Sequence, residues 1–590
     1  MSFSRRALVS GALLALIVVP VAAGSAATPK PAESVSVIVR EGPRAGTGPE
    51  QMVQRLGGRV GRRIPIINGF VATVPRSGVS ALGRTRGVQS VTINRRLRLH
   101  GLLNGWDQAK DPGSLFVARD ITNADDMLEV GFTGKGVDVA LIDTGVMPVH
   151  GLAQPGRVIA GADLSFESQS PNLRYLDTYG HGTHLAGIIA GRDTSGLVAH
   201  DAKHFAGVAP EARILSLKVA DAHGVTDVSQ VLAAIDWVVE HRQDHGLNIR
   251  VLNLAFGTDG AQDYRLDPLA FAVEVAWRKG IAVVVAAGNG GAAAGRLNNP
   301  AHDPFVIAVG AVDGNGTSTT ADDVVPSWSS SGDGVRNPDL VAPGKSLVSL
   351  RVPGSHIDRT FGATARVGKT RFFRGSGTSQ AAAFVSGLAA LIIQQRPTIK
   401  PDELKALLKS TASPIPNVSA RLQGAGVANM TKIARRIPTP VGTQNFARGT
   451  GMGSLEAARG TQHLVAANGI ELRGERDIFG TYLTGSLWAP LSQLGNAWNG
   501  GTWMGNAWTG NAWTGNAWTG NAWAGNAWAG NAWTANAWYG NAWSANAWSA
   551  NAWNGNAWAG NAWAGNAWEG NAWSGNAWPG NAWSTQAWGG

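Results

Sequence analysis

Hydrophobic and polar positions change rhythm several times along this 590-residue chain. Between about residues 116 and 436, short apolar runs alternate with stretches of helical spacing. The largely apolar runs 137–142, 214–219, 249–254 and 281–286 predict strands. Residues 184–190, 228–241 and 269–279 predict helices, the last stopped by Gly280. This alternation gives an α/β fold, a mainly parallel sheet with helices on both faces, with ligands expected at the carboxyl ends of its strands.

The flanks are patterned differently. Arg5 and Arg6, an apolar run over 7–21 and small residues over 22–27 predict a secretory signal at 1–27, with the twin-arginine and general export routes both open. Residues 34–100 show strand-like runs at 35–40, 66–75 and 88–93 and a helical stretch at 50–56, as in a small α/β sandwich. Residues 437–494 begin Pro/Thr-rich and then lose periodicity, which suggests a linker and a small unassigned element. Residues 495–590 repeat Asn-Ala-Trp-x-Gly, with Trp every five positions from Trp498 to Trp588.

Composition narrows the function. No later stretch holds the roughly 18 uninterrupted apolar residues of a spanning helix, so no transmembrane span is expected. The absence of cysteine excludes disulfides, thiol catalysis and cysteine-bound zinc. The net charge of +10 suggests nucleic acid only until it is located. Residues 1–100 carry 15 Lys/Arg against three Asp/Glu, so the rest is close to neutral and no nucleic-acid partner is expected.

Four motifs could carry chemistry. Ile142-Asp143-Thr144-Gly145 ends a predicted strand in a carboxylate, which alone reads more readily as a turn cap than as a catalytic group. Gly180-His181-Gly182-Thr183-His184 sets an imidazole between glycines, with His184 in the first turn of the next helix. No ligand cluster accompanies the two histidines, so no metal site is expected there. Ala286-Ala287-Gly288-Asn289 ends another run in an amide, either a turn residue or an oxyanion donor. Gly375-Ser376-Gly377-Thr378-Ser379-Gln380-Ala381 leads into a predicted helix over 381–393. There Ser379 is either an N-cap or an exposed hydroxyl at the positive helix end.

In the order Asp, His, Asn, Ser, these motifs resemble those of the subtilisin-like serine peptidases, the subtilases. The resemblance covers roughly residues 131–434 and extends to Gly207-Val208-Ala209-Pro210 and Val341-Ala342-Pro343-Gly344. It implies a serine endopeptidase domain at 116–436 with Asp143, His181 and Ser379 as catalytic triad and Asn289 in the oxyanion hole. Ala255, Phe256 and Gly257 would bind substrate. Protein or peptide substrates follow; no cofactor is required, and structural calcium stays open.

Residues 34–100 resemble the ferredoxin-like α+β propeptide of that family through Ile67-Asn68-Gly69-Phe70 and Gly87-Val88-Gln89-Ser90-Val91. Such a propeptide assists folding, inhibits the site and is cut off, here between about Arg98 and Arg119. The product would be secreted, extracellular or held at the cell surface. This chain departs from the family pattern in Gln380 where many relatives have Met, and in Ala383-Phe384 where Pro-His is usual. Leu254-Ala255-Phe256-Gly257 replaces the usual Ser-Leu-Gly, which leaves the specificity pocket open.

The repeat has three readings. Gly and Asn favour a flexible, disordered tail, whereas 19 tryptophans are a heavy load for a solvated coil. A β-solenoid with five residues per face would place the small residues inside and stack the tryptophans outside. A third reading is a segment that binds cell wall, polysaccharide or another copy. A surface adhesion protein with an inert peptidase scaffold is the rival to the enzyme. The complete set of Asp, His and Ser and the inhibitor-like segment ahead of it favour the enzyme.

Overall fold

The computed structural model describes residues 34–94 and 106–569, with short breaks at 43–44, 169, 171, 194–198, 369–370, 466–470, 500 and within the tail, where residues from 509 onward are described as backbone. The expected signal at 1–27 lies outside the described residues. The chain divides into two units, residues 1–100 and 101–590.

In the first unit, β1 (Ser34–Glu41), β2 (Arg59–Ile64), β3 (Gly69–Pro75) and β4 (Val88–Ile93) form an antiparallel sheet in the order β2-β3-β1-β4. Helices Gly48–Arg55 and Val79–Gly83 alternate with the strands as β-α-β-β-α-β. Strand residues point to alternate faces, so Val37, Val39, Phe70, Ala72 and Val74 meet Val53 and Leu82 of the helices in one small core. The apolar run 66–75 is not one strand. A short 3-10 turn at Pro65–Ile67 ends at the left-handed Asn68, and β3 starts after it.

The second unit is built on β5 (Asp138–Asp143), β6 (Val158–Asp163), β7 (Arg213–Lys218), β8 (Ile249–Leu254), β9 (Ala282–Ala286), β10 (Ile307–Val312) and β11 (Leu340–Pro343). They form one parallel sheet in the order β11-β10-β9-β8-β5-β7-β6, the α/β architecture expected from the alternating pattern. Every residue of β5, β9 and β10 is buried, so helices cover both faces there. Helices His181–Ala190 and Thr378–Gln395 pack on each other, as do Val228–Glu240 and Pro268–Arg278.

Caps explain where helices begin. Asp267 accepts from the Leu269 and Ala270 amides, and Pro268 fills the first helical position, where its missing N–H costs nothing. Asp227 caps Val228–Glu240 through the Ser229 amide at 2.9 Å.

The described residues of 437–494 contain two helices, Leu455–Arg459 and Gly485–Leu494, held against helices that cover the parallel sheet. Arg459, wholly buried, donates to Asp227 at 2.7 and 3.2 Å and to the carbonyls of Gly474 and Arg476. Asp227 therefore both caps a helix and anchors a segment more than 200 residues away. Removing one partner of a buried ion pair strands the other charge, at about 3–5 kcal/mol. Arg459→Ala should accordingly lower the urea midpoint of unfolding well below that of the unaltered chain; an unchanged midpoint would contradict this role.

Candidate active site

Parallel strands bring their carboxyl ends to one edge, and the motif residues collect there. Asp143 is the last residue of β5, set by its register with Lys218 of β7 on one side and by Ile142 opposite Leu254 of β8 on the other. His181 is the first residue of its helix, which starts three residues earlier than the apolar pattern suggested. Its Nδ1 lies 2.9 and 3.0 Å from the two Asp143 carboxylate oxygens. A proton on Nδ1, donated to Asp143, leaves Nε2 with a free lone pair. Burial opposes charge on His181, but the Asp143 charge and hydrogen bond, with Asp177 beyond, outweigh it and raise its pKa above the usual 6.5.

The flanking glycines have steric reasons. Gly180 has φ +108°, a left-handed conformation that side chains avoid. A Cβ on Gly182 would lie 2.2 Å from the Gly145 carbonyl oxygen, so only glycine lets the histidine turn approach the end of β5.

Ser379 is the second residue of the helix Thr378–Gln395, which begins before the expected residue 381. The N-cap position belongs to Gly377, so Ser379 is not a cap; its Oγ donates to the Ala255 carbonyl at 3.4 Å. Asn289 follows β9, and its Oδ1 accepts from the Thr378 amide at 2.9 Å and the Thr378 hydroxyl at 3.1 Å. The amide is thus oriented with Nδ2 as its free donor, beside the turn that carries Ser379. Ala255, Phe256 and Gly257 leave β8 half-buried.

His184 is turned inward. Its Nε2 donates to the Phe373 carbonyl at 3.1 Å, and burial pushes its pKa down to about 4, which keeps it neutral.

Asp177, which the sequence did not single out, anchors the turn around His181. Fully buried, it accepts from the Gly180 amide (2.6 Å), the Thr183 amide (2.8 Å) and hydroxyl (2.6 Å), and the Thr144 hydroxyl (2.8 Å). The Gly182 amide in turn donates to Thr144 Oγ1 at 2.9 Å. Asp177 therefore ties the residue after Asp143 to both sides of His181. Burial pushes its carboxyl above the ordinary value, against those hydrogen bonds. The only local signal is an Asp four residues before a histidine that opens a helix.

The subtilase family model matches residues 134–453, more than half of the chain. The chain belongs to the subtilase family. It is 38% identical over 358 residues to serine protease AprX of Bacillus subtilis (strain 168), covering 59% of this chain and 75% of AprX. It is 30% identical over 390 residues to subtilisin E of the same strain, covering 65% and 86%. The crystal structure of a cold adapted subtilisin-like serine proteinase shares 31% identity, with a TM-score of 0.37, over 51% of this chain and 89% of that one. This subtilase is a serine-type endopeptidase acting on peptide bonds, and the family match runs past residue 436 into the docked segment. Among the described residues no helix is long and apolar enough to cross a membrane.

Asp177→Ala should reduce kcat on a peptide substrate on the order of 10²-fold, the scale of a small misplacement of catalytic groups, with little change in KM. An unchanged kcat would show that the network does not position the site.

Proposed function

We propose that this subtilase is made as a secreted proenzyme in which Asp143, His181 and Ser379 form the catalytic triad and Asn289 donates to the oxyanion. The observation that carries the reading is the Asp143–His181 pair at the strand ends, with Asn289 bonded to the residue beside Ser379. Residues 1–27 serve as the export signal and 34–100 as a propeptide that inhibits the enzyme until it is cut off. The mature enzyme works outside the cell or at its surface.

A peptide adds as an extended strand along Ala255, Phe256 and Gly257, its carbonyl carbon beside Ser379. Ser379 Oγ gives up its weak bond to Ala255 and attacks, while His181 Nε2 takes its proton. The negative oxygen of the tetrahedral intermediate is met by Asn289 Nδ2 and the Ser379 amide. Asp143 holds the Nδ1–H and stabilises the imidazolium, which then protonates the departing amine. Water repeats the sequence, releasing the acid and restoring Ser379.

The proprotein with Ser379→Ala should neither process itself nor cleave casein, whereas Asn289→Ala should retain traces of activity, roughly 10²- to 10³-fold down, the loss subtilisin suffers on losing its side-chain donor. Equal processing by the altered and unaltered chains would overturn the triad.

The raised pKa of His181 also sets a pH profile. An imidazolium cannot accept the serine proton, so kcat should fall as pH falls, with a midpoint above 6.5. Asp143→Asn should move that midpoint lower. A midpoint in the unaltered enzyme below 6.5 would contradict the assignment of His181 as base.

A further inference from the structure

The repeat does not begin where its sequence becomes regular. Residues 501–505 read Gly-Thr-Trp-Met-Gly, with Gly501 and Thr502 in place of Asn-Ala, and this irregular unit is docked on the peptidase domain. Trp498, Trp503 and Trp508 are buried. The Trp503 indole N–H donates to Asp236 Oδ2 at 2.8 Å, and Trp488 donates to the same oxygen at 2.7 Å. Ser492 Oγ donates to Asp236 Oδ1 at 2.5 Å, and Trp498 donates to the Ala233 carbonyl at 2.9 Å. Asp236 and Ala233 lie on one helix of the peptidase domain, Val228–Glu240. Beside them Asn506 Nδ2 donates to Asp477 at 3.0 Å, and Trp508 meets Phe479 edge-on at 5.0 Å between ring centroids.

From there the backbone pairing changes character. Strand Trp498–Asn499 pairs antiparallel with Thr502–Trp503, and Thr502–Trp503 pairs antiparallel with Asn506–Thr514. Among the described residues every later ladder is parallel and offset by ten residues, two repeat units. Asn511 stands opposite Asn521, Asn521 opposite Asn531, and Asn531 opposite Asn541. The same offset continues through Ala552 with Ala562 and Ala557 with Ala567.

We propose that residues 485–508, clamped by Asp236 and Asp477, are the N-terminal cap of a ten-residue-per-rung β-solenoid formed by the Asn-Ala-Trp-x-Gly repeat, and that the peptidase domain sets its register. The physical need is specific. The repeat is nearly identical from unit to unit, so a shift by one rung costs it almost nothing, and a stack of equivalent rungs has no preferred register of its own. A solenoid also leaves its first strand with unpaired backbone groups, which an atypical terminal unit must cover. The hairpin of the irregular unit pairs with the start of that strand, at Asn506 and Ala507, and three buried indole donors with one asparagine fix its position. The tail is therefore a rigid extension growing from the catalytic domain, at roughly 4.8 Å per rung.

Because rungs contact only their neighbours, loosening the cap should destabilise the tail in a graded way. The test is hydrogen exchange on the full chain, carrying Ser379→Ala to prevent self-digestion, with and without Asp236→Ala or the milder Asn506→Ala. Amides over 506–524 should exchange at least tenfold faster in both variants, with the effect fading toward 569, while β5 stays protected. Should Asp236→Ala also expose β5, Asn506→Ala decides alone. Unprotected amides over 506–569 in the chain with the cap intact would overturn the proposal. Tail protection unaffected by either variant would overturn it as well.

Discussion

The contact between His181 and Asp143 joins two residues on different elements, and it depends on β5 lying between β7 and β8 in a parallel sheet, in register with both from Val139 to Ile142. Side chains alternate faces along a strand, so a slip of one residue in either ladder would turn Asp143 away from the histidine helix. The same edge receives Ala255 from β8 and Asn289 from β9, and each of these is bonded to Ser379 or to its neighbour Thr378. Sheet order thus does the assembling, and glycines at 180 and 182 remove the bulk that would hold the elements apart.

A chain without cysteine still needs its distant segments joined, and buried carboxylates do this repeatedly. Asp177 joins the end of β5 to the histidine turn, Asp227 joins a helix start to Arg459, Asp236 gathers Trp488, Ser492 and Trp503, and Asp477 receives Asn506. Each is enclosed by donors rather than left bare, the condition under which a buried polar group specifies a structure instead of destabilising it. Burial nonetheless pushes Asp236 up to about 6, against the three donors that favour its ionised form.

What the sequence made legible follows the same physics. Strands covered on both faces are largely apolar, so β5, β8 and β9 are legible as runs even though Asp138, Arg250 and Asn253 interrupt the first two, with Asp143 at the end of β5 and Asn289 just after β9. Two helices start three residues before their apolar patterns because polar or small residues open them: His181 behind Gly180, and Thr378 behind Gly377. Asp177 escaped notice because an Asp ahead of a helix has an ordinary local use, and only the fold brings Thr144 to it. The docking of 455–508 was illegible for a related reason. It depends on single polar groups more than 200 residues apart, which leave no periodic trace in the chain.

The central claim, that Ser379 is a nucleophile activated by His181, is tested most directly by covalent labelling. Mature enzyme treated with a small sulfonyl fluoride should gain one adduct by intact mass, mapped by peptide sequencing to Ser379, and His181→Ala should fail to gain it at the same rate. An adduct on another residue, or equal labelling without the imidazole, would contradict the account.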